Sequence, residues 1–282
     1  MRQEEIKKVV RDRYGTIAKK ATTCCLPSAS CCGGENTMEK IGRGIGYSPE
    51  DLQSVPEGAN LGLGCGNPIA LASLQEGETV IDLGSGAGFD CFLAARKVGE
   101  NGRVIGVDMT HEMLDKAREN ARKGNYQNVE FRLGEIENLP VADNIADIII
   151  SNCVINLSPD KDKVFEEAFR VLRPGGRLMV SDIVLLKELP AALRDSVAAY
   201  TGCVAGALMK DDYLRKIGAA GFQKVEIIDE TLFPMQELVS HPVAEEASIP
   251  SDTLMNMAEQ LTISIASIKV SAIKPAFFSE ST

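Results

Sequence analysis

Eight cysteines occur in the chain, and they fall into two groups. Cys24, Cys25, Cys31 and Cys32 crowd the stretch "TTCCLPSASCCGG", while Cys65, Cys91, Cys153 and Cys203 are spread through the body. The crowded group lacks C-x-x-C spacing, so a structural zinc site is not signalled, and its Pro, Ser and Gly neighbours read as a loop on which a thiol can travel. Cys153 follows the apolar run "ADIIIS" directly, so a chain leaving the core of a sheet sets down Asn152 and Cys153 before its next helix. Cys65 in "GLGCGNP" and Cys203 in "YTGCVAGAL" have glycine neighbours that let backbone and thiol approach a ligand closely. Each lone cysteine has a bland reading as a small buried hydrophobe, and Cys91 keeps that reading, as packing or cofactor support. Three scattered thiols brought to one site would read differently, because thiolates select soft metals and metalloids.

A second set of chemical residues is glycine and acid. "DLGSGAG" sets Gly84, Ser85, Gly86 and Gly88 at a strand-to-helix turn, where missing side chains let a cofactor approach the backbone. The dinucleotide pattern G-x-G-x-x-G fails: counted from Gly84 its last place holds Phe89, and counted from Gly86 it holds Cys91. Asp108, at the end of the next strand, is placed for ribose hydroxyls, and Glu135 adds an acid to the same rim. Acids with few bases suit a cationic cofactor without phosphates, a description that S-adenosylmethionine meets.

The elements that position these residues follow from periodicity. Residues 4–20 have the spacing of an amphipathic helix and 21–64 read mostly as loop. From residue 78 onward, apolar runs ("TVIDL", "GRVIGVD", "VEFRL", "IADIIIS", "RLMVSDIVL") alternate with helical patterns ("FDCFLAARKV", "HEMLDKARENARK", "DKVFEEAFRVL"), and "RPGG" reads as a turn. Such alternation predicts a parallel sheet with helices on both faces and ligands at the carboxyl ends of its strands. A helix over 190–200 and strands over 224–229 and 264–273 are expected beyond it, as a final part of the sheet and a substrate-covering element. The expected division is 1–64 (N-terminal helix and cysteine-rich loop), 65–189 (cofactor-binding core) and 190–282 (smaller α+β region).

Composition narrows the class. With 282 residues, 44% of them hydrophobic and 25% charged, the chain can bury one sizeable core. A formal net charge of -10 and the lack of Lys/Arg clusters argue against a nucleic-acid partner. No apolar stretch approaches the 20 residues of a membrane span, and "MRQEEIKKVVRDRYG" lacks the apolar middle of a signal peptide, so a cytoplasmic protein with no membrane partner is expected. In that reducing compartment eight cysteines are not a disulfide framework.

Taken in order and spacing, "VIDLGSGAG", "VIGVDMT", "GEIENLP" and "VLRPGGRL" resemble the class I methyltransferases, whose Rossmann-like α/β sheet binds S-adenosylmethionine. The resemblance implies that Asp82 sits by the methionine end, that Asp108 binds the ribose, that Met109 packs on the adenine and that Glu135 and Ile136 line the adenine pocket. Where that family often has Asp, this chain has Glu135. Asn152 and Cys153 then stand where methyl donor and acceptor meet.

With "GCGNP", "SNCVINLSPDK", "GCVAGAL" and "DLGSGAGFDCFLA" added, the chain resembles the arsenite S-adenosylmethionine methyltransferases over most of its length. This closer resemblance implies that Cys65, Cys153 and Cys203 bind trivalent arsenic, offered as arsenite or a thiol conjugate, and that an N-terminal cysteine, Cys32 by preference, exchanges disulfides. Arsenic held by thiolates keeps a lone pair, so no general base is required, and His111 and His241 are read as ordinary solvated or packed residues. Methylation oxidises the arsenic, so a reductant such as thioredoxin or glutathione is implied, and a monomer is expected. Two rivals stay open: a methyltransferase for another small-molecule acceptor, and a metalloid-binding protein without turnover.

Overall fold

The computed structural model of the protein describes residues 2–20, 37–68, 73–194, 196–232 and 264–276. Cys24, Cys25, Cys31, Cys32 and His241 lie outside the described residues. The chain opens with α1 (Gln3–Lys20), α2 (Thr37–Gly44) and α3 (Pro49–Gln53). The last two fall where loop was expected. In "SPED" the Ser48 side chain accepts the Asp51 N–H while Asp51 accepts the Ser48 N–H, a reciprocal cap that starts a helix of only five residues.

The core follows as β1 (Thr79–Leu83), α4 (Phe89–Val98), β2 (Arg103–Asp108), α5 (His111–Lys123), β3 (Val129–Leu133), β4 (Ala146–Asn152), α6 (Lys161–Val171) and β5 (Leu172–Leu185). Two short helices, α7 (Ala191–Arg194) and α8 (Val197–Thr201), stand where one was expected over 190–200, and α9 (Lys210–Ala219), β6 (Gln223–Leu232) and β7 (Ile265–Ile273) complete the fold. Among the described residues seven strands form one sheet in the order β3-β2-β1-β4-β5-β7-β6. All neighbours are parallel except β7, which runs antiparallel to β5 and β6. This is the Rossmann-like α/β architecture expected, and the two late strands extend the same sheet.

Burial explains the strand patterns. From Ala146 to Ser151 every residue of β4 is buried, as befits a central parallel strand covered on both faces. Ile81 and Ile149 pack on one face with Phe165 and Tyr213, whereas Val80, Ile148 and Ile150 pack on the other with Phe92. Each such side chain contributes roughly 1.5–3 kcal/mol by leaving water. The outer strand β6 is mostly exposed and carries Glu226, Asp229 and Glu230, charges that discourage pairing with another sheet edge.

The predicted "RPGG" turn is instead a bulge within β5. Ala146 pairs with Leu172 and Ile148 with Arg177, so the extra residues loop out of register, with Gly175 at φ +82°. Strand order reverses between β1 and β4, which opens a crevice at their carboxyl ends. Every residue of the site described next stands around that crevice.

Candidate functional site

The floor of the crevice is the turn after β1. Gly84 and Ser85 donate their N–H groups to Val107 O at 2.8 and 3.0 Å, and Gly86 donates to Asp108 Oδ2 at 2.9 Å. Gly86 has φ +52°, and a side chain there would project into open space, so this position needs glycine for its backbone and leaves the cleft unobstructed. Asp108 also accepts the Thr110 N–H at 2.8 Å; burial pushes its carboxyl up, opposed by these backbone donors. Asp82 is buried and accepts the Cys91 thiol at 3.2 Å. Burial, then the neighbouring Asp90, raise its carboxyl well above the usual range. Cys91 is wholly buried under this acid.

Met109 and Ile136 line the cleft, with Gly134 and Glu137 beside Ile136. Glu135 does not line it: its carboxylate accepts Lys7 Nζ at 2.7 Å and faces Arg11 at 3.6 Å. Gly88 also stays out of the cleft, since a side chain there would strike the Phe131 and Phe92 rings at 2.8 Å. Helix α1 covers the opening with Lys7, Val10 and Tyr14, three residues that its 3.6-residue repeat sets on one face.

At the other end of the cleft lie the thiols. Cys65, Cys153 and Cys203 are free, each 6% exposed or less, and come from the segment before β1, the end of β4 and the turn after α8. Cys153 N–H donates to Ser181 O at 2.8 Å, and the Cys203 thiol donates to Cys153 O at 2.8 Å. The Cys153 thiol touches both others. Cys153 and Cys203 have φ +60° and +65°, strained for a residue with a side chain, and such strain gathers at functional sites. Burial raises the Cys65 thiol; the Cys203 thiol is raised by its bond to Cys153 and by burial; Cys153, eased by Cys203, is still raised well above the ordinary range by Cys65 and burial. All three rest as neutral thiols.

Asp182, which the sequence reading passed over, completes this end. Its carboxylate oxygen lies within 4.8 Å of the Cys65 and Cys153 sulfurs, and burial pushes its carboxyl up to about 7. It accepts from Tyr213 Oη at 3.0 Å, Asn156 Nδ2 at 2.9 Å and Ile183 N at 3.1 Å. An acid inside the apolar run "LMVSDIVL" was the signal available for it. Tyr14 was also missed; its hydroxyl donates to Thr201 O at 3.3 Å and contacts the Cys203 thiol. Asn152 joins the two ends, its Oδ1 accepting the Cys65 N–H at 3.1 Å and its Nδ2 reaching Gly66 O at 2.8 Å. The structure thus brings Cys65, Cys153 and Cys203 beside the cleft of Asp82, Gly84, Ser85, Gly86, Asp108, Met109, Ile136 and Asn152.

Known proteins give this arrangement a family. The family model described as "Methyltransferase domain" matches residues 74–221. An arsenite methyltransferase of Halobacterium salinarum is 52% identical over 231 residues, 79% of this chain and 59% of its own length. The arsenite methyltransferase of Homo sapiens is 35% identical over 246 residues, 84% of this chain and 63% of its own length. The chain therefore spans 59% and 63% of these two relatives. The crystal structure of CrArsM, an arsenic (III) S-adenosylmethionine methyltransferase from Chlamydomonas reinhardtii, superposes with a TM-score of 0.61 at 31% identity, covering 88% of this chain and 76% of that one. By the domain it carries and by these likenesses over most of its length, the chain belongs to the arsenite methyltransferase family of S-adenosylmethionine-dependent methyltransferases.

Proposed function

We propose that this protein transfers methyl groups from S-adenosylmethionine to trivalent arsenic held by Cys65, Cys153 and Cys203. The observation that carries this reading is the meeting of three buried free thiols with a cleft walled by buried carboxylates. The cleft suits the cofactor: Ser85 Oγ is buried there without a hydrogen-bond partner, and the space over Gly86 is open. Asp82, Ser85, Gly86, Asp108, Met109 and Ile136 would hold it. When bound, it supplies an electrophilic methyl group on a sulfonium.

The side chains have little chemistry left to perform. Arsenic enters as its trihydroxy form or as a thiol conjugate; in the first case three As–O bonds break, three As–S bonds form and each thiol proton leaves in a water. The arsenic lone pair is the nucleophile, so no residue must abstract a proton in the transfer. Catalysis is positioning, with the thiols fixing arsenic opposite the donor. Two electrons lost by arsenic are made good by thiol oxidation to a disulfide. We assign the exchange to Cys32 and the final reduction to thioredoxin or glutathione. A cytoplasmic monomer, divided at about 64 and 189 as above, belongs to the same reading; among the described residues no helix is long and apolar enough to cross a membrane.

The test is mass spectrometry of arsenic species after incubation with arsenite, S-adenosylmethionine and a thiol reductant. Mono- or dimethylated arsenic is expected, lost in Cys153→Ser with cofactor binding kept. Turnover retained by that variant removes Cys153 from the ligand set. Cofactor binding with no methylated arsenic sinks the proposed acceptor.

A further inference from the structure

Three polar side chains on the donor side of the cleft, two of them buried and the third partly so, take no step in the chemistry above, and they form one connected unit. Tyr47 Oη donates to Asp90 Oδ1 at 2.6 Å, Asn152 Nδ2 donates to Tyr47 Oη at 2.9 Å, and Asn152 Nδ2 reaches Asp90 Oδ2 at 3.1 Å. They come from the segment before α3, the first turn of α4 and the last residue of β4. Tyr47 and Asp90 are 4% and 8% exposed, so these bonds face little competition from water.

The unit has a direction. Asp90 is pushed up only to about 6 by burial, so at neutral pH its carboxylate accepts, and the Tyr47 proton is committed to it. The Tyr47 oxygen therefore presents lone pairs to Asn152. Gly66 O, Tyr47 Oη and Asp90 Oδ2 are three acceptors on one side of the Asn152 amide, and an amide flip would turn Oδ1 against all of them. With Nδ2 held there, Oδ1 points the other way, onto the Cys65 N–H at 3.1 Å. Gly64 permits the approach, since a side chain at that position would stand 2.6 Å from Asn152 Nδ2.

We infer that Tyr47 and Asp90 are positioning residues for the acceptor site: they set the orientation of Asn152, which pins the Cys65–Gly66 backbone to the end of β4 and so fixes the Cys65 thiol against Cys153. This rests on the thiol-site reading above. The hydroxyl of Tyr47 never touches arsenic in this scheme; it acts through the Asn152 amide.

Tyr47→Phe tests it, because the ring contact with Phe89, at 4.8 Å between centroids, is kept while the hydroxyl is removed. Arsenite affinity, read by equilibrium dialysis without cofactor, should fall about tenfold, the size of one hydrogen bond to a charged network. The KM for arsenite should rise in step, with the KM for S-adenosylmethionine within about threefold of the parent. Asp90→Asn, which lets the Asn152 amide turn over, should show the same split. A readout free of arsenic is the rate at which diamide joins Cys65 to Cys153, mapped by peptide mass spectrometry and expected to slow in both variants. Unchanged arsenite affinity with an unchanged disulfide rate overturns the inference, as does an equal loss of cofactor and arsenite binding. If the parent protein binds no arsenite, the proposed function fails, and the disulfide rate alone decides whether this unit positions Cys65.

Discussion

Gly66 lies so close over Ser181 that a methyl group added to it would stand 1.9 Å from the Ser181 hydroxyl oxygen. That contact seats the Cys65 segment on β5, and Ser181 also offers its carbonyl to the Cys65 thiol at 3.7 Å. Gly66→Ala should therefore destabilise the protein by about 1–3 kcal/mol in urea unfolding. Ser181→Ala removes a buried hydroxyl that has no partner and should be close to neutral. Adding it to Gly66→Ala should restore part of the loss, and strict additivity of the two changes would show that the residues do not meet in solution.

Asp108 has both oxygens committed to backbone donors, Gly86 on one and Thr110 on the other. Asparagine can accept with only one oxygen and would set an N–H against the second donor. Asp108→Asn should weaken S-adenosylmethionine binding about a hundredfold by calorimetry, the cost of one misdirected hydrogen bond plus loss of the ribose contact proposed for this acid. Binding within about twofold of the parent would remove Asp108 from the cofactor site.

Asp182 makes stability depend on pH in a specific direction. Its carboxyl rises from the ordinary 3.8 to about 7 in the folded protein, so between those values the folded state holds a proton that the unfolded state has released. Stability contributed by this group is full below pH ~4, declines as pH rises to ~7, and is level above. Against Asp182→Asn, the wild type should lose up to ~4 kcal/mol across that window. Parallel stability profiles for the two proteins would show that the acid is ionised throughout.

Lys7 ties helix α1 to the rim of the cleft through Glu135 at 2.7 Å and Glu137 at 3.7 Å, and its side chain is only 12% exposed. Lys7→Ala should loosen this cover by ~1 kcal/mol, seen as about fivefold faster amide exchange along residues 3–20. The strands of the core should exchange as before. Unaltered exchange over α1 would mean that Val10 and Tyr14 alone hold the helix down.

The central sheet could be read from residues because β1, β2 and β4 are near-continuous apolar runs with a polar residue at or next to the carboxyl end, and such runs have few other uses. Asp108 and Asn152 are the last residues of β2 and β4 and Asp82 the last but one of β1, which is why the cleft could be located from the sequence. The two cysteines next to glycine and the one after β4 were visible as types, but their convergence was supplied by resemblance; the fold brings together residues 65, 153 and 203 through contacts that no local pattern records. Tyr47 and Asp90 were invisible for the same reason, being 43 residues apart and meeting only through a hydrogen bond. Glu135 shows the opposite limit. Its place after β3 suggested the acidic rim and the resemblance implied the adenine pocket, yet Lys7 and Arg11 of α1 pair with its carboxylate, and a helix more than a hundred residues earlier leaves no trace beside it in the sequence.

Burial of Cys65, Cys153 and Cys203 has a consequence for which guests they admit. Three protonated sulfurs carry no charge of their own, and that state is what their buried surroundings favour. A dication such as zinc would have to expel thiol protons and shed its hydration shell in a place that charges enter at a cost of several kcal/mol. The uncharged trihydroxy arsenic proposed as their guest would exchange hydroxyl for thiol with only water departing, adding no charge. On that proposal electroneutrality joins sulfur affinity as a filter, one that would set these buried thiols apart from cysteine sites open to solvent.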